Sequence, residues 1–332
     1  MKYLYLTFFI TATLFFSACA SKEVFEPENV NDDWEYYGSS DFTIENVATN
    51  AALVDDNQVV VNGEIIENII IAEDESLLGS SDGWVLSSTI DGNLTLRSMD
   101  DSQTVEHFDL KRTIATASVK DDTLAVLFTN NKMALYSISS KDLLLKEQGD
   151  APIVINSNVI APYFKDNLVI FATLDGKIVL VNLDTKKKLR TVIVSSEDNF
   201  NNIIYFDFLD NKIIASTGHK ILSLAKKELR VKYDIRHVRD DGKNIYLSTK
   251  QGEIVSLTPD LQLNKKVKFP FAHFLGMIIG VNNIYVLEKE GYIIELSKDL
   301  LEYKIYEADV EDGYIFVDGK VFYIDDEYIL VE

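Results

Sequence analysis

The stretch Phe164-Lys-Asp-Asn-Leu-Val-Ile-Phe-Ala-Thr-Leu-Asp-Gly-Lys-Ile-Val-Leu-Val-Asn-Leu-Asp-Thr-Lys-Lys-Lys-Leu-Arg-Thr-Val-Ile-Val194 decides the fold. An apolar run from Leu168 to Ala172 meets Asp175-Gly176, a second run follows from Ile178 to Leu183, and a third runs from Leu189 to Val194 after a polar turn. Short apolar runs separated by tight-turn residues read as antiparallel strands, so the unit is a meander. Asp-Gly favours a type I′ hairpin, in which both central residues take positive φ.

The same arrangement recurs along the chain. Hairpin turns between apolar runs fall at Asn62-Gly63, Asp91-Gly92, Asn130-Asn131, Asp175-Gly176, Gly218-His219, Gln251-Gly252, Glu290-Gly291 and Asp325-Asp326. Their spacings are 29, 39, 45, 43, 33, 39 and 35 residues. A recurrence near 40 with four short strands per unit predicts a β-propeller. A second series of Asp, Asn and Gly turns precedes the first apolar run of each unit, from Asp55-Asp56-Asn57 through Lys165-Asp166-Asn167 to Asp318-Gly319-Lys320. These residue types suit tight turns, which accounts for much of the acidic charge.

Strands such as Leu124 to Phe128 and Leu168 to Ala172 are continuously apolar rather than alternating. Such strands have both faces of their sheet covered, as in a blade held between two neighbours. No helical pattern lies between the strands, which excludes an α/β reading. The expected fold is all-β, a propeller of eight four-stranded blades over residues 34–332. The short first spacing leaves seven as the alternative. The last unit supplies three strands, and Trp34-Glu-Tyr-Tyr37 is expected to complete it, closing the ring by pairing the two ends of the chain.

Residues 1–18 have the form of a secretory signal: Lys2, an apolar stretch from Tyr3 to Phe16, then the small residues Ser17-Ala18 before Cys19. Phe16-Ser17-Ala18-Cys19 resembles the lipobox of bacterial lipoproteins, with Phe16 where Leu is usual. The resemblance implies acylation of Cys19, the only cysteine. Several acyl chains would hold the protein stably on a bilayer. With Ala20-Ser21 following and no Asp next to the cysteine, lipoprotein sorting in diderm bacteria implies the periplasmic side of the outer membrane. Residues 19–33 read as the acylated cysteine and a polar, acidic, flexible tether.

A formal charge of −21, which becomes −22 without the first eighteen residues, repels phosphate backbones and anionic headgroups. Nucleic acid is therefore not an expected partner, and Lys186-Lys187-Lys188 reads as a solvated turn. Gly79-Ser80-Ser81-Asp82-Gly83 matches a hydrolase elbow in spelling, but the elbow requires a strand entering a helix, and here a strand follows. His107, His219, His237 and His273 are scattered without metal-ligand spacing. Neither a calcium-loop spacing nor a phosphate-cradling glycine loop is present. The expectation is no catalytic residue, no metal and no cofactor.

Asp166 to Leu189, Asp240 to Leu257 and Asn282 to Leu296 together resemble the pyrroloquinoline-quinone-type propeller repeat, and the resemblance covers roughly residues 34–332. Quinone dehydrogenases sharing that repeat are Trp-rich and many carry paired cysteines, whereas this chain has two Trp and one Cys. A lipoprotein of this size with little beyond the propeller is similar to the BamB-like scaffolds of the outer-membrane β-barrel assembly machinery. That similarity implies a non-enzymatic monomeric subunit of a hetero-complex, which binds protein partners through loops on one face. The candidate loop is Ser195 to Tyr205, with Phe200, Ile203 and Ile204 as candidate contact residues. The alternative is an enzyme or a binder of a small ligand, sugar or quinone in the central funnel.

Overall fold

A computed structural model describes residues 23–308 and 313–332. The signal stretch and Cys19 lie outside the described residues. The described residues form eight four-stranded antiparallel sheets. Seven are built from consecutive strands, covering residues 44–70, 75–109, 114–148, 163–193, 205–232, 235–268 and 274–307 (blades one to seven). Blade eight takes Ile315–Asp318, Val321–Ile324 and Glu327–Leu330 from the end of the chain and Tyr37–Ser39 from its beginning.

The ring is thus closed by strands from both ends, with Tyr37 opposite Ile329 and Ser39 opposite Glu327. The closing strand starts at the last residue of the expected Trp34-Glu-Tyr-Tyr37. Trp34 turns inward instead, packing edge-on against Tyr285 and Tyr306 with ring centroids 5.9 and 5.1 Å away. Burying a large indole outweighs keeping it on a solvent-facing edge strand.

The count of eight follows once the first unit is read in its true register. Its hairpin between second and third strands is at residues 55–57, not at Asn62-Gly63, which joins the third strand to the fourth. The short spacing of 29 came from comparing unlike turns.

Continuous apolar strands have the expected cause. Along Leu168–Ala172, Ile170 and Ala172 pack with blade five, whereas Val169 and Phe171 pack with blade three. Equivalent clusters lie between every adjacent pair of blades, including eight with one. Each fully buried Val, Leu, Ile or Phe contributes roughly 1.5–3 kcal/mol, so the ring is held by its blade interfaces.

The Asp175-Gly176 turn departs from type I′. Only Gly176 has positive φ, at 80°. The Thr173 N–H donates to Lys177 O at 2.8 Å, and Thr173 Oγ1 accepts the Lys177 N–H at 3.0 Å. Thr89 and Thr249 use the same hydroxyl to accept the N–H four residues on. The recurring signature is therefore Thr-x-Asp/Gln-Gly, with the threonine fixing the loop.

Residues 23–33 are not an unpacked tether. Phe25 is 4% exposed and meets Phe269 and Tyr292 edge-on at 6.1 and 5.6 Å. Asn31 and Trp34 donate backbone hydrogen bonds to Ile305 O and Glu307 O. The segment lies along the outer strand of blade seven because that edge offers unpaired backbone groups and an aromatic socket.

Candidate functional site

In each blade the hairpin between second and third strands and the connection to the next blade lie at the same end of the ring. This end carries the two longest connections, residues 149–162 and 194–204. They pair with each other. Val154 and Asn199 form a parallel bridge, the Phe200 N–H donates to Val154 O at 2.8 Å, and Asn202 Oδ1 accepts the Asn156 N–H at 2.7 Å. Asn202, fully buried, also donates through Nδ2 to Asn158 O at 2.7 Å.

The two connections are stapled to the hairpins beneath them. Asn131 is buried; its Nδ2 donates to Asp175 Oδ1 at 2.7 Å and to Asp150 O at 2.8 Å, and its Oδ1 accepts the Leu174 N–H at 3.0 Å. Lys177 Nζ bridges Asp150 and Asp175 at 2.6 Å each. Burial pulls the Lys177 ammonium pKa down, but its two carboxylate partners outweigh this and hold it above its ordinary value. Gly176 sits directly under the second connection, and a Cβ there would lie 2.4 Å from Asn201 Nδ2 and 2.6 Å from Ser195 O. A glycine is required both by that approach and by its positive φ.

The candidate contact residues divide. Phe200 is 44% exposed and sits at φ 52°. Ile203 is 1% exposed and packs between blades four and five; Ile204 is 8% exposed and packs between blades five and six. These two are core residues and cannot meet a partner while the blades are intact. An apolar pair next to a strand looks the same in sequence whether it faces a neighbouring blade or solvent.

Two features of this face were not singled out by residue type. Phe271, in the connection from blade six to blade seven, repeats the character of Phe200: it is 58% exposed, with φ 64°. Bulky side chains rarely occupy left-handed backbone, and such strain typically costs on the order of 1–3 kcal/mol. Ile90 and Ile153 are also exposed at this end.

The second feature is the connection 149–162, which replaces the upper part of an inner strand. Blade four's inner strand is only Tyr163–Lys165. The residues before it descend into the channel, where the Thr49 hydroxyl of blade one donates to Val159 O at 3.2 Å. The spacing of 45 between Asn131 and Gly176, the longest in the series, is the sequence signal for it.

Beside this plug the channel retains a cavity of about 540 Å³. Inner-strand bulges next to Asn46, Thr116 and His237 bring these residues to its wall, together with Arg239. No group of acidic, histidine or cysteine residues able to hold a metal occurs among the described residues.

No protein-family model matches the chain. The plasminogen-binding protein PgbB of Helicobacter pylori strain J99 is 35% identical over 217 residues, a stretch covering 63% of this chain and 40% of that protein. PgbB of a second H. pylori strain is 34% identical over the same length. The chain spans about two fifths of the length of the curated relatives it matches. Among solved structures, BamB from Moraxella catarrhalis superposes with a TM-score of 0.68 at 12% identity, covering 89% of this chain and 98% of that one. The C-terminal WD40 domain of Sif2 superposes with a TM-score of 0.64 at 9% identity, covering 90% and 99%. At these identities the likeness is one of fold. The eight blades of the described residues form a propeller with a BamB-like fold.

Proposed function

We propose that this protein is a non-enzymatic docking platform whose connection face, centred on Phe200 and Phe271, binds a protein partner. The observation that carries this reading is the pair of exposed phenylalanines held on left-handed backbone. Strain of this kind persists where surrounding structure over-determines it, and it clusters at ligand clamps. A rigid ring that presents a few aromatic anchors within a polar rim matches how protein interfaces concentrate their affinity.

On this reading Cys19 carries the acyl anchor, the propeller faces the periplasm from the outer membrane, and the partner belongs to the outer-membrane β-barrel assembly machinery. The lipobox-like Phe16-Ser17-Ala18-Cys19 and the BamB-like ring support that assignment. The PgbB relatives favour a second partner class on the same face, a host protein such as plasminogen. Their identity to this chain is the higher, although the shared stretch covers only 40% of them.

The test is affinity capture in mild detergent with the acylated full chain, alongside binding of purified plasminogen. Recovery of barrel-assembly components, lost on replacing Phe200 and Phe271 with Ala, supports the first reading. Their consistent absence with saturable plasminogen binding selects the second, and failure of both overturns the docking platform.

A further inference from the structure

The central cavity holds a cationic group that nothing in the docking reading uses. Arg239 lines it, and among the described residues only Nη1 of its guanidinium is engaged, to the neighbouring Val238 O at 2.9 Å. No ion pair to Arg239 forms among the described residues. The nearby Asp240 carboxylate accepts instead from the Tyr205 hydroxyl at 2.6 Å. In a chain of net charge −21, no Asp or Glu is among the described residues lining this cavity.

Two further residues line the same space. Thr116 is 2% exposed; its Oγ1 is shut off from solvent and has no hydrogen-bond partner among the described residues. His237 shares a hydrogen bond of 3.0 Å between Nδ1 and Ser248 Oγ. Burial, with Arg239 and Arg236 adding to it, pushes the imidazole down to about 3, so it is neutral at neutral pH. The rest of the wall mixes apolar residues, among them Leu77, Leu78 and Val159, with the polar Asn46, Thr49, Ser157 and Asn158. The space opens past Asn46 and Thr49, both exposed.

We propose that this cavity is a binding site for a small organic carboxylate, whose anionic head pairs with Arg239 while its apolar body lies against Leu78 and Val159. A guanidinium fork matches a carboxylate in a two-point pair. Arg239 is the one cation among the described residues lining the cavity, and Asp240 already offsets part of its charge, so the site suits a monoanion, whereas a phosphate ester dianion would lack a second cation. The volume lies within the usual range for small-molecule sites, in which a few polar groups orient a mainly apolar ligand.

Calorimetric titration of the full chain with hexanoate and with hexan-1-ol tests the assignment. Hexanoate is expected to bind at one saturable site at least tenfold more tightly than hexan-1-ol. Arg239→Gln should abolish that preference, and Arg239→Lys, which keeps the charge but loses the two-point fork, should weaken hexanoate severalfold. Equal binding of acid and alcohol by the unaltered protein, no saturable binding of hexanoate, or full hexanoate affinity in a folded Arg239→Gln protein overturns the site. Should Arg239→Gln fail to fold, the acid and alcohol comparison and Arg239→Lys decide the matter. Tighter binding of hexyl phosphate than of hexanoate would overturn the carboxylate assignment.

Discussion

The Trp34 indole Nε1 donates a 3.0 Å hydrogen bond to Leu330 O, joining residues 296 positions apart. Trp34 is 8% exposed and packs in the cluster between blades seven and eight with Phe322 and Ile329. It therefore locks the closing strand from the inside, next to the pairing of Tyr37 with Ile329. Trp34→Ala should destabilise the ring by about 3–5 kcal/mol, as expected for emptying a buried indole site. Trp34→Phe, which mainly loses the hydrogen bond, should cost closer to 1 kcal/mol. Urea unfolding of both variants checks the ordering. Equal, negligible losses would show that the ring does not depend on this closure.

Blade two contains a buried polar network alongside its apolar packing. The Glu75 carboxylate, 9% exposed, accepts from Ser87 Oγ at 2.8 Å, Thr95 Oγ1 at 2.7 Å and Arg97 Nη2 at 2.8 Å. Burial pushes its pKa up, but these three donors outweigh burial and hold it below the ordinary glutamate value. A carboxyl whose folded pKa is depressed contributes stability above its unfolded pKa, and loses it as pH falls through the folded one. Glu75→Gln should therefore be less stable than the parent at pH 6.5, and the gap should narrow by pH 3. Glu75→Ala, which strands Arg97, should cost about 2–3 kcal/mol at neutral pH. Urea titrations at the two pH values read both effects.

Gly176→Ala tests how tightly the connection face is built. A Cβ at this position meets Asn201 Nδ2 and the Ser195 carbonyl inside van der Waals contact, on backbone at φ 80°. The substitution should cost about 2 kcal/mol or more, through strain and displacement of the 194–204 connection. Faster amide exchange at residues 194–204, with blades one and two unchanged, is the expected signature.

The loop Ser195 to Tyr205 separates binding from stability within five residues. Ile203→Ala should destabilise by about 2–5 kcal/mol, because it opens a cavity between blades four and five. Phe200→Gly removes an exposed side chain and relieves a left-handed backbone, so its melting temperature should match or exceed the parent's. Thermal melts distinguish the two, and the reverse ranking would contradict the placement of these residues.

The blades were legible in sequence because a propeller blade is local. Each strand pairs with the next in the chain, turns are marked by Asp, Asn and Gly, and two-sided burial leaves continuous apolar runs such as Leu124 to Phe128. The partition of Phe200 from Ile203 and Ile204 was not legible, because it depends on contacts with blades whose positions no local pattern encodes. The same holds for Phe25, which reads as part of an acidic tail until the edge of blade seven is in place. The channel plug announced itself only as an unusually long spacing. The cavity depends on bulges beside Asn46, Thr116 and His237, which periodicity alone does not reveal.

The docking account rests most directly on which end of the ring meets a partner. Photo-crosslinking in living cells, with benzoylphenylalanine replacing Phe200, Phe271 or, at the opposite end, Val281, measures this. Val281 is 73% exposed, in the turn between the first two strands of blade seven. A discrete protein adduct from the Phe200 and Phe271 positions and none from Val281 is the predicted result. Adducts from Val281 alone, or equally from all three positions, would contradict it.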